Sequence, residues 1–268
     1  MGATIFLNEM LQKLKDNGIT NANELYFIIE AKLGLSRADI AMLETFSRGQ
    51  QRLIQKWVRQ RIKGKSMQLI IGSTPFAGII VLESKHTLTP RPETEYLTTF
   101  ILKHKPCKVL DICTGSGCIG LALAKASFDV TLSDISTKAL RCARKNAKLN
   151  NLKVNIVKSN MFNNIQGKFN IIVSNPPYIT TTECKTLQRD VVLNDPYLAL
   201  DGGADGLYFY AVISEQAHKF LVDNGIIYLE IGAGQEKSIA KLLEKNFKDI
   251  TIIKDLNGVN RIIKAVKK

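Results

Sequence analysis

The residues of this chain best suited to chemistry are Ser174-Asn175-Pro176-Pro177-Tyr178. A residue before proline is pushed out of the helical region, so Asn175 and Pro176 are both held extended, and neither proline carries an N–H that would compete for a ligand. From so stiff a loop, the side-chain oxygen of Asn175 and the backbone carbonyl of Pro176 can accept the two hydrogens of one planar NH2 group. The lone pair of an amide or aromatic amine nitrogen is delocalised, and such a nitrogen attacks poorly. Two fixed acceptors orient it and favour the positive charge that grows on nitrogen during in-line displacement at a sulfonium, so no strong base is required. Tyr178 is expected to pack on the flat face of the amide or base. The plain alternative is a proline-rich turn leaving a strand.

A second set lies upstream, in Asp111-Ile112-Cys113-Thr114-Gly115-Ser116-Gly117-Cys118-Ile119-Gly120. Gly115, Gly117 and Gly120 spell GxGxxG, and Asp134 ends the next strand, where a ribose-binding carboxylate belongs in dinucleotide and nucleoside-sulfonium enzymes alike. Glycines let the backbone pass close to either ligand. Asp111 tips the balance. A carboxylate at the mouth of the first strand suits a positive ammonium and would repel a pyrophosphate, so the cofactor is expected to carry an amino acid. Helix capping or a turn is the plain alternative for Asp111.

These loops need a scaffold, and from residue 108 onward the chain alternates strand and helix. Strands are predicted over residues 108–113, 130–133, 154–159, 169–174, 226–231, 250–254 and 261–266, with a helix near residues 207–222 and another near 235–247. Such alternation gives an α/β fold with a doubly wound, mostly parallel seven-stranded sheet. The final two strands are too close for a crossover helix, so the last must run antiparallel. The strand at 169–174 places the Asn175 loop at the carboxyl end of the sheet, where doubly wound folds bind ligands.

The first 65 or so residues read as helices, with Ile5, Leu7, Met10, Leu11 and Leu14 at spacings of three and four. Gly34 is expected to end one helix, Ser36 with Asp39 to start another, and Gly64 to end a basic one from about residue 48. Residues 68–72 and 76–82 read as short strands around a turn. The expected organisation is a helical domain over 1–66, a β-hairpin linker over 67–90 and a catalytic domain over 91–268.

The bulk numbers agree with a folded enzyme. A 268-residue chain with 45% hydrophobic residues can build a sizeable core. The net charge of +13 reads either as a surface for nucleic acid or the ribosome or as a lysine-rich solvated face. Five cysteines without a CxxC pair suit a reduced, cytoplasmic chain. The three histidines are isolated from one another, so no metal is expected. No apolar run reaches the length of a membrane span, and the first 15 residues do not form a signal peptide.

Taken together the motifs resemble the HemK/PrmC family, the N5-glutamine methyltransferases that modify class I peptide chain release factors. The likeness spans nearly the whole chain. It is carried by Thr89-Pro90-Arg91-Pro92-Glu93-Thr94-Glu95, residues 111–117, Ser133-Asp134, Asn175 to Tyr178 with Ile179, residues 195–210, Glu230-Ile231-Gly232-Ala233-Gly234-Gln235 and Gly258-Val259-Asn260-Arg261. The resemblance implies a Rossmann-like class I methyltransferase fold, S-adenosyl-L-methionine as cofactor, the glutamine of a Gly-Gly-Gln loop as acceptor and a helical domain that helps hold the release factor; the chain is expected to be a monomer. It places the cofactor's amino-acid end on Cys113, Thr114, Gly115, Ser116 and Gly117 with Asp111 at the mouth of the first strand, its ribose on Asp134, and its adenine near Asn160 and Met161. The glutamine amide falls on Asn175, Pro176, Pro177 and Tyr178, with Asn175 also facing the cofactor. The family usually has glycine in place of Cys113 and aspartate in place of Asn160. Arg91 and Glu95 either shape the cofactor pocket or anchor the linker. The same NPPY loop occurs in adenine-N6 methyltransferases acting on DNA, which makes a nucleic-acid acceptor the alternative.

Overall fold

The structure, a computed structural model, describes residues 2–187 and 189–268. In chain order it begins with helices α1 (Ala3–Asp16), α2 (Asn23–Leu33), α3 (Arg37–Met42), α4 (Arg48–Ile62) and α5 (Met67–Ile71), then strands β1 (Ser73–Phe76) and β2 (Ile79–Leu82). There follow α6 (Pro92–Ile101), β3 (Lys108–Ile112), α7 (Cys118–Lys125), β4 (Asp129–Asp134), α8 (Thr137–Leu149), β5 (Asn155–Lys158) and β6 (Phe169–Ser174). The chain continues with α9 (Thr181–Cys184), α10 (Arg189–Asn194), α11 (Tyr208–Gln216), β7 (Leu221–Glu230), α12 (Glu236–Leu243), β8 (Phe247–Lys254) and β9 (Asn260–Lys267). Among the described residues no helix is long and apolar enough to cross a membrane.

Two compact units result: Met1–Ser73 with Gln188–Asn194, and Thr74–Leu187 with Asp195–Lys268. In the first, Phe6, Leu7, Met10 and Leu14 form the buried stripe of α1 and meet Ile29 and Ile54 in one core. Ser36 with Asp39 and Ser47 with Gln50 form capping boxes at the starts of α3 and α4, and Gly34 takes φ 68° to stop α2. The strand expected over 68–72 is instead α5. Ser66 caps it by accepting from the Leu69 N–H, and Gly72 closes it at φ 89°, so end chemistry decides what a short apolar run cannot. Helix α10 joins this unit through two tertiary partners. Arg61, 8% exposed, pairs with Glu24 at 2.6 Å and with Asp190 at 2.8 Å, while Asn194 accepts from the Ser66 N–H and donates to the Gly64 carbonyl.

The second unit is built on a seven-stranded sheet in the order β5-β4-β3-β6-β7-β9-β8, with only β9 reversed. Val109, Leu132, Ile171 and Val173 enter one buried cluster, and Leu110, Ile112, Ile172 and Leu229 enter the other. With both faces covered, the strands read as continuous apolar runs. The hairpin expected as a linker belongs to this unit, because Phe76, Ile79 and Val81 sink into the first cluster. Helix α6, absent from the sequence reading, starts with Pro92 in its first turn and buries Leu97 and Ile101. Strand β7 begins at Leu221, and α11 stops at Gln216, six residues short of the predicted helix end. The doubly wound order reverses between β3 and β6, so the loops after these two strands face one crevice.

Candidate active site

That crevice is a cavity of about 330 Å³ lined by both loops. The three glycines of the first loop do different work. An added Cβ at Gly115 would meet nothing within 4 Å, so the backbone there borders open space. Gly117 takes φ 82° to cap α7, and Gly120 packs where a Cβ would strike Leu132, Val130 and Asp111. Cys113, directly after β3, and Met161, in the loop after β5, both line the cavity, at φ 57° and 47°, with β4 between the two strands. The glycine usual at position 113 in the resembled family would adopt that backbone without strain.

Asp111 lies beneath the loop and does not line the cavity. It is 1% exposed, and its Oδ2 accepts from Thr114 Oγ1 at 2.6 Å and from the Gly120 N–H at 3.0 Å. Oδ1 has no protein partner, and burial pushes the carboxyl up to about 7. A cationic ligand above the loop would favour its ionised form. Asp134 does line the cavity. Its oxygens accept from the N–H groups of Gly115 at 2.9 Å and Ser136 at 2.8 Å, which oppose the upward push of burial. Each oxygen keeps a lone pair for a hydroxyl.

Asn146, fully buried in α8, braces the loop from behind: its Nδ2 donates to the Ser116 carbonyl and its Oδ1 accepts from the Leu82 N–H, both at 2.8 Å. Asn146→Ala strands both backbone groups and is expected to cost roughly 2–3 kcal/mol in urea unfolding at neutral pH. A loss below about 0.5 kcal/mol would show that the brace contributes nothing.

Asn175 and Pro177 line the cavity, whereas Pro176 is buried and does not. Asn175 Nδ2 donates to Thr94 Oγ1 at 3.1 Å, and Thr94 Oγ1 donates to Glu230 Oε2 at 2.7 Å. Tyr178 is half-buried against the α11 side of the core, with its ring edge over Gly232, and its carbonyl accepts from Gln235 Nε2 at 3.0 Å. Of the residues read as cofactor contacts, Cys113, Thr114, Gly115, Ser116, Asp134, Asn160, Met161 and Asn175 line the cavity; Asp111 and Gly117 support it from below.

Arg91 and Glu95 both anchor structure. Arg91 pairs with Asp195 at 2.9 Å and Glu95 accepts from the Ala77 N–H at the hairpin turn. Sequence reasoning passes over Thr94, although it sits inside the segment 89–95 that carries the resemblance, and over Ile135, Leu198 and Phe209 of the cavity wall. The arrangement fits an aminoacyl nucleoside: open backbone at Gly115, a carboxylate at Asp134 for vicinal hydroxyls, and Ile135 and Met161 as apolar walls for a flat base.

Comparison with known proteins agrees with this geometry. Residues 92–193 match the family described as "Methyltransferase small domain". A release factor glutamine methyltransferase of Flavobacterium psychrophilum is 39% identical over 256 residues, covering 90% of each chain. One of Thermodesulfovibrio yellowstonii is 39% identical over 225 residues, 80% of this chain and 81% of that protein. A solved methyltransferase from Pyrococcus furiosus shares the fold, with a TM-score of 0.57 over 71% of this chain and 89% of its own at 22% identity.

Proposed function

The chain belongs to the family of release factor glutamine methyltransferases, and from that premise we propose that it methylates the side-chain amide nitrogen (N5) of the glutamine in the Gly-Gly-Gln loop of class I peptide chain release factors. The observation that carries the reading is the Asn175 amide, tied by its NH2 to Thr94 so that its Oδ1 is left to accept. S-adenosyl-L-methionine, when bound, supplies an electrophilic methyl group on sulfur. Cys113, Thr114, Gly115 and Ser116 would hold its amino-acid end, Asp134 its ribose, and Asn160, Met161 and Ile135 would border its adenine.

The protein's own part is orientation. Asn175 Oδ1, on the cavity wall, takes a hydrogen of the glutamine NH2, turns its nitrogen toward the methyl group, and stabilises the charge that develops there. The surplus proton then leaves to solvent, since the loop offers acceptors and no strong base. The helical unit is assigned to holding the release factor, and the enzyme to the cytoplasm. A weaker contact to nucleic acid or the ribosome is also part of the reading. Residues 135–182 contain eight Lys and Arg and no Asp or Glu, and all eight basic side chains are exposed.

Incubation with radiolabelled S-adenosylmethionine is expected to label a class I release factor and to leave its Gln→Ala form unlabelled. Equal labelling of both sinks the assignment. Labelling of DNA or RNA instead would transfer the same loop chemistry to adenine.

A further inference from the structure

Orienting the substrate amide uses Asn175 but not the two groups behind it. Thr94 is 4% exposed and Glu230 3% exposed, and they form a chain: Glu230 Oε2, Thr94 Oγ1, Asn175 Nδ2. A hydroxyl carries one proton. An ionised Glu230 can only accept, so the Thr94 proton points to it, and the Thr94 lone pairs face Asn175. Asn175 must then present its NH2 to Thr94 and its carbonyl oxygen to the cavity. A protonated Glu230 reverses each step: it donates to Thr94, Thr94 donates to Asn175, and the amide turns over. Two N–H donors would then oppose the NH2 of the substrate.

We propose that Glu230, acting through Thr94, is a positioning residue that sets which end of the Asn175 amide faces the reacting nitrogen. The role rests on the methyl-transfer reading, and part of its test is independent of that reading. Both groups are firmly placed. Thr94 stands in the first turn of α6 behind Pro92, and the backbone carbonyl of Glu230 at the end of β7 accepts from Tyr210 Oη at 2.8 Å. Burial, with Glu93 adding to it, pushes the Glu230 carboxyl up to about 7, while Thr94, Arg261 and Asn175 oppose the push. Tyr178, Tyr210 and Cys118 also face it.

Three variants test the proposal. Thr94→Val keeps the shape and removes the hydroxyl; kcat should fall roughly tenfold or more, with KM for the release factor and cofactor affinity within about twofold. Thr94→Ser should restore most of the rate. The wild-type kcat should drop roughly tenfold between about pH 8 and pH 6, and Glu230→Gln, whose amide carbonyl still accepts from Thr94, should lose that acid limb. In the free protein, the ¹⁵N-asparagine NH2 resonance of Asn175, assigned by its loss in Asn175→Ala, should titrate near neutral pH in the wild type and stay fixed in Glu230→Gln.

Equal rates for Thr94→Val and wild type would overturn the proposal. So would an acid limb that survives in Glu230→Gln, which would belong to Asp111 instead, or an Asn175 signal that ignores Glu230. The resonance needs no methyl acceptor, so an enzyme that labels no release factor would refute the assigned reaction and leave the orienting chain to be decided by the titration of Asn175.

Discussion

Asn175→Ala is expected to reduce single-turnover methyl transfer by roughly 10² or more, the scale of removing one preorganised polar group from a reacting centre. Calorimetry should find cofactor affinity within about threefold, because Asn175 is one lining group among many at the cavity and Asp134 and the glycine loop are untouched. The loss belongs in kcat, since the interaction removed grows as charge develops on the nitrogen. Folding should suffer little. The substitution leaves Thr94 its bond to Glu230 and removes only a 3.1 Å partner, a difference of about 1 kcal/mol. Unchanged turnover would reduce Asn175 to a turn residue and remove the basis for the orienting chain as well.

Gly206→Ala should do wider damage, costing about 3–4 kcal/mol of stability and disabling the reacting loop at the same time. Gly206 sits at φ 73°, and an added Cβ would overlap the Tyr178 carbonyl oxygen and come within 2.6 Å of Gln235 Nε2. Neither neighbour can yield cheaply. The Tyr178 oxygen is backbone, and Gln235 is held by bonds to it at 3.0 Å, to the Gly206 carbonyl at 3.4 Å and from the Gly232 N–H at 3.0 Å. Gly202 closes the other side, where a Cβ would lie 2.8 Å from the Pro177 carbonyl oxygen. Thermal melting together with methyl transfer checks the expectation, and a melting point and rate both equal to wild type would contradict it.

The parts of this molecule that are legible in its sequence are those whose chemistry is local. The strand over residues 169–174 is recovered as β6, because Gly167 precedes its apolar run and Asn175 with two prolines follows it. The glycine loop is legible because positive φ and close packing leave no other residue a comfortable place. Helix α6 is hidden since Thr94, Thr98 and Thr99 lower helix propensity, and what holds it is the burial of Leu97 and Ile101, which is tertiary. The motif suggests that Asp111 faces a ligand, but spacing along a chain does not say on which side of a loop a carboxylate lies, and its partners Thr114 and Gly120 hold it below. The membership of residues 188–194 in the helical unit depends on Arg61 and Ser66, more than a hundred positions earlier, and no local pattern encodes that pairing.

That last pairing bears on how such a protein can be recombined. The helical unit is not one cassette but two, Met1–Ser73 and the short segment Gln188–Asn194 that interrupts the sheet unit. A chimera that grafts only the first 73 residues from a relative would keep the host's Asp190 and Asn194 against a foreign Arg61, Ser66 and Gly64. Successful grafts should therefore transfer both pieces together, and natural variants should change them in step. The second piece begins ten positions after Tyr178, so exchanging the helical unit edits the same connection that carries the Asn175 loop.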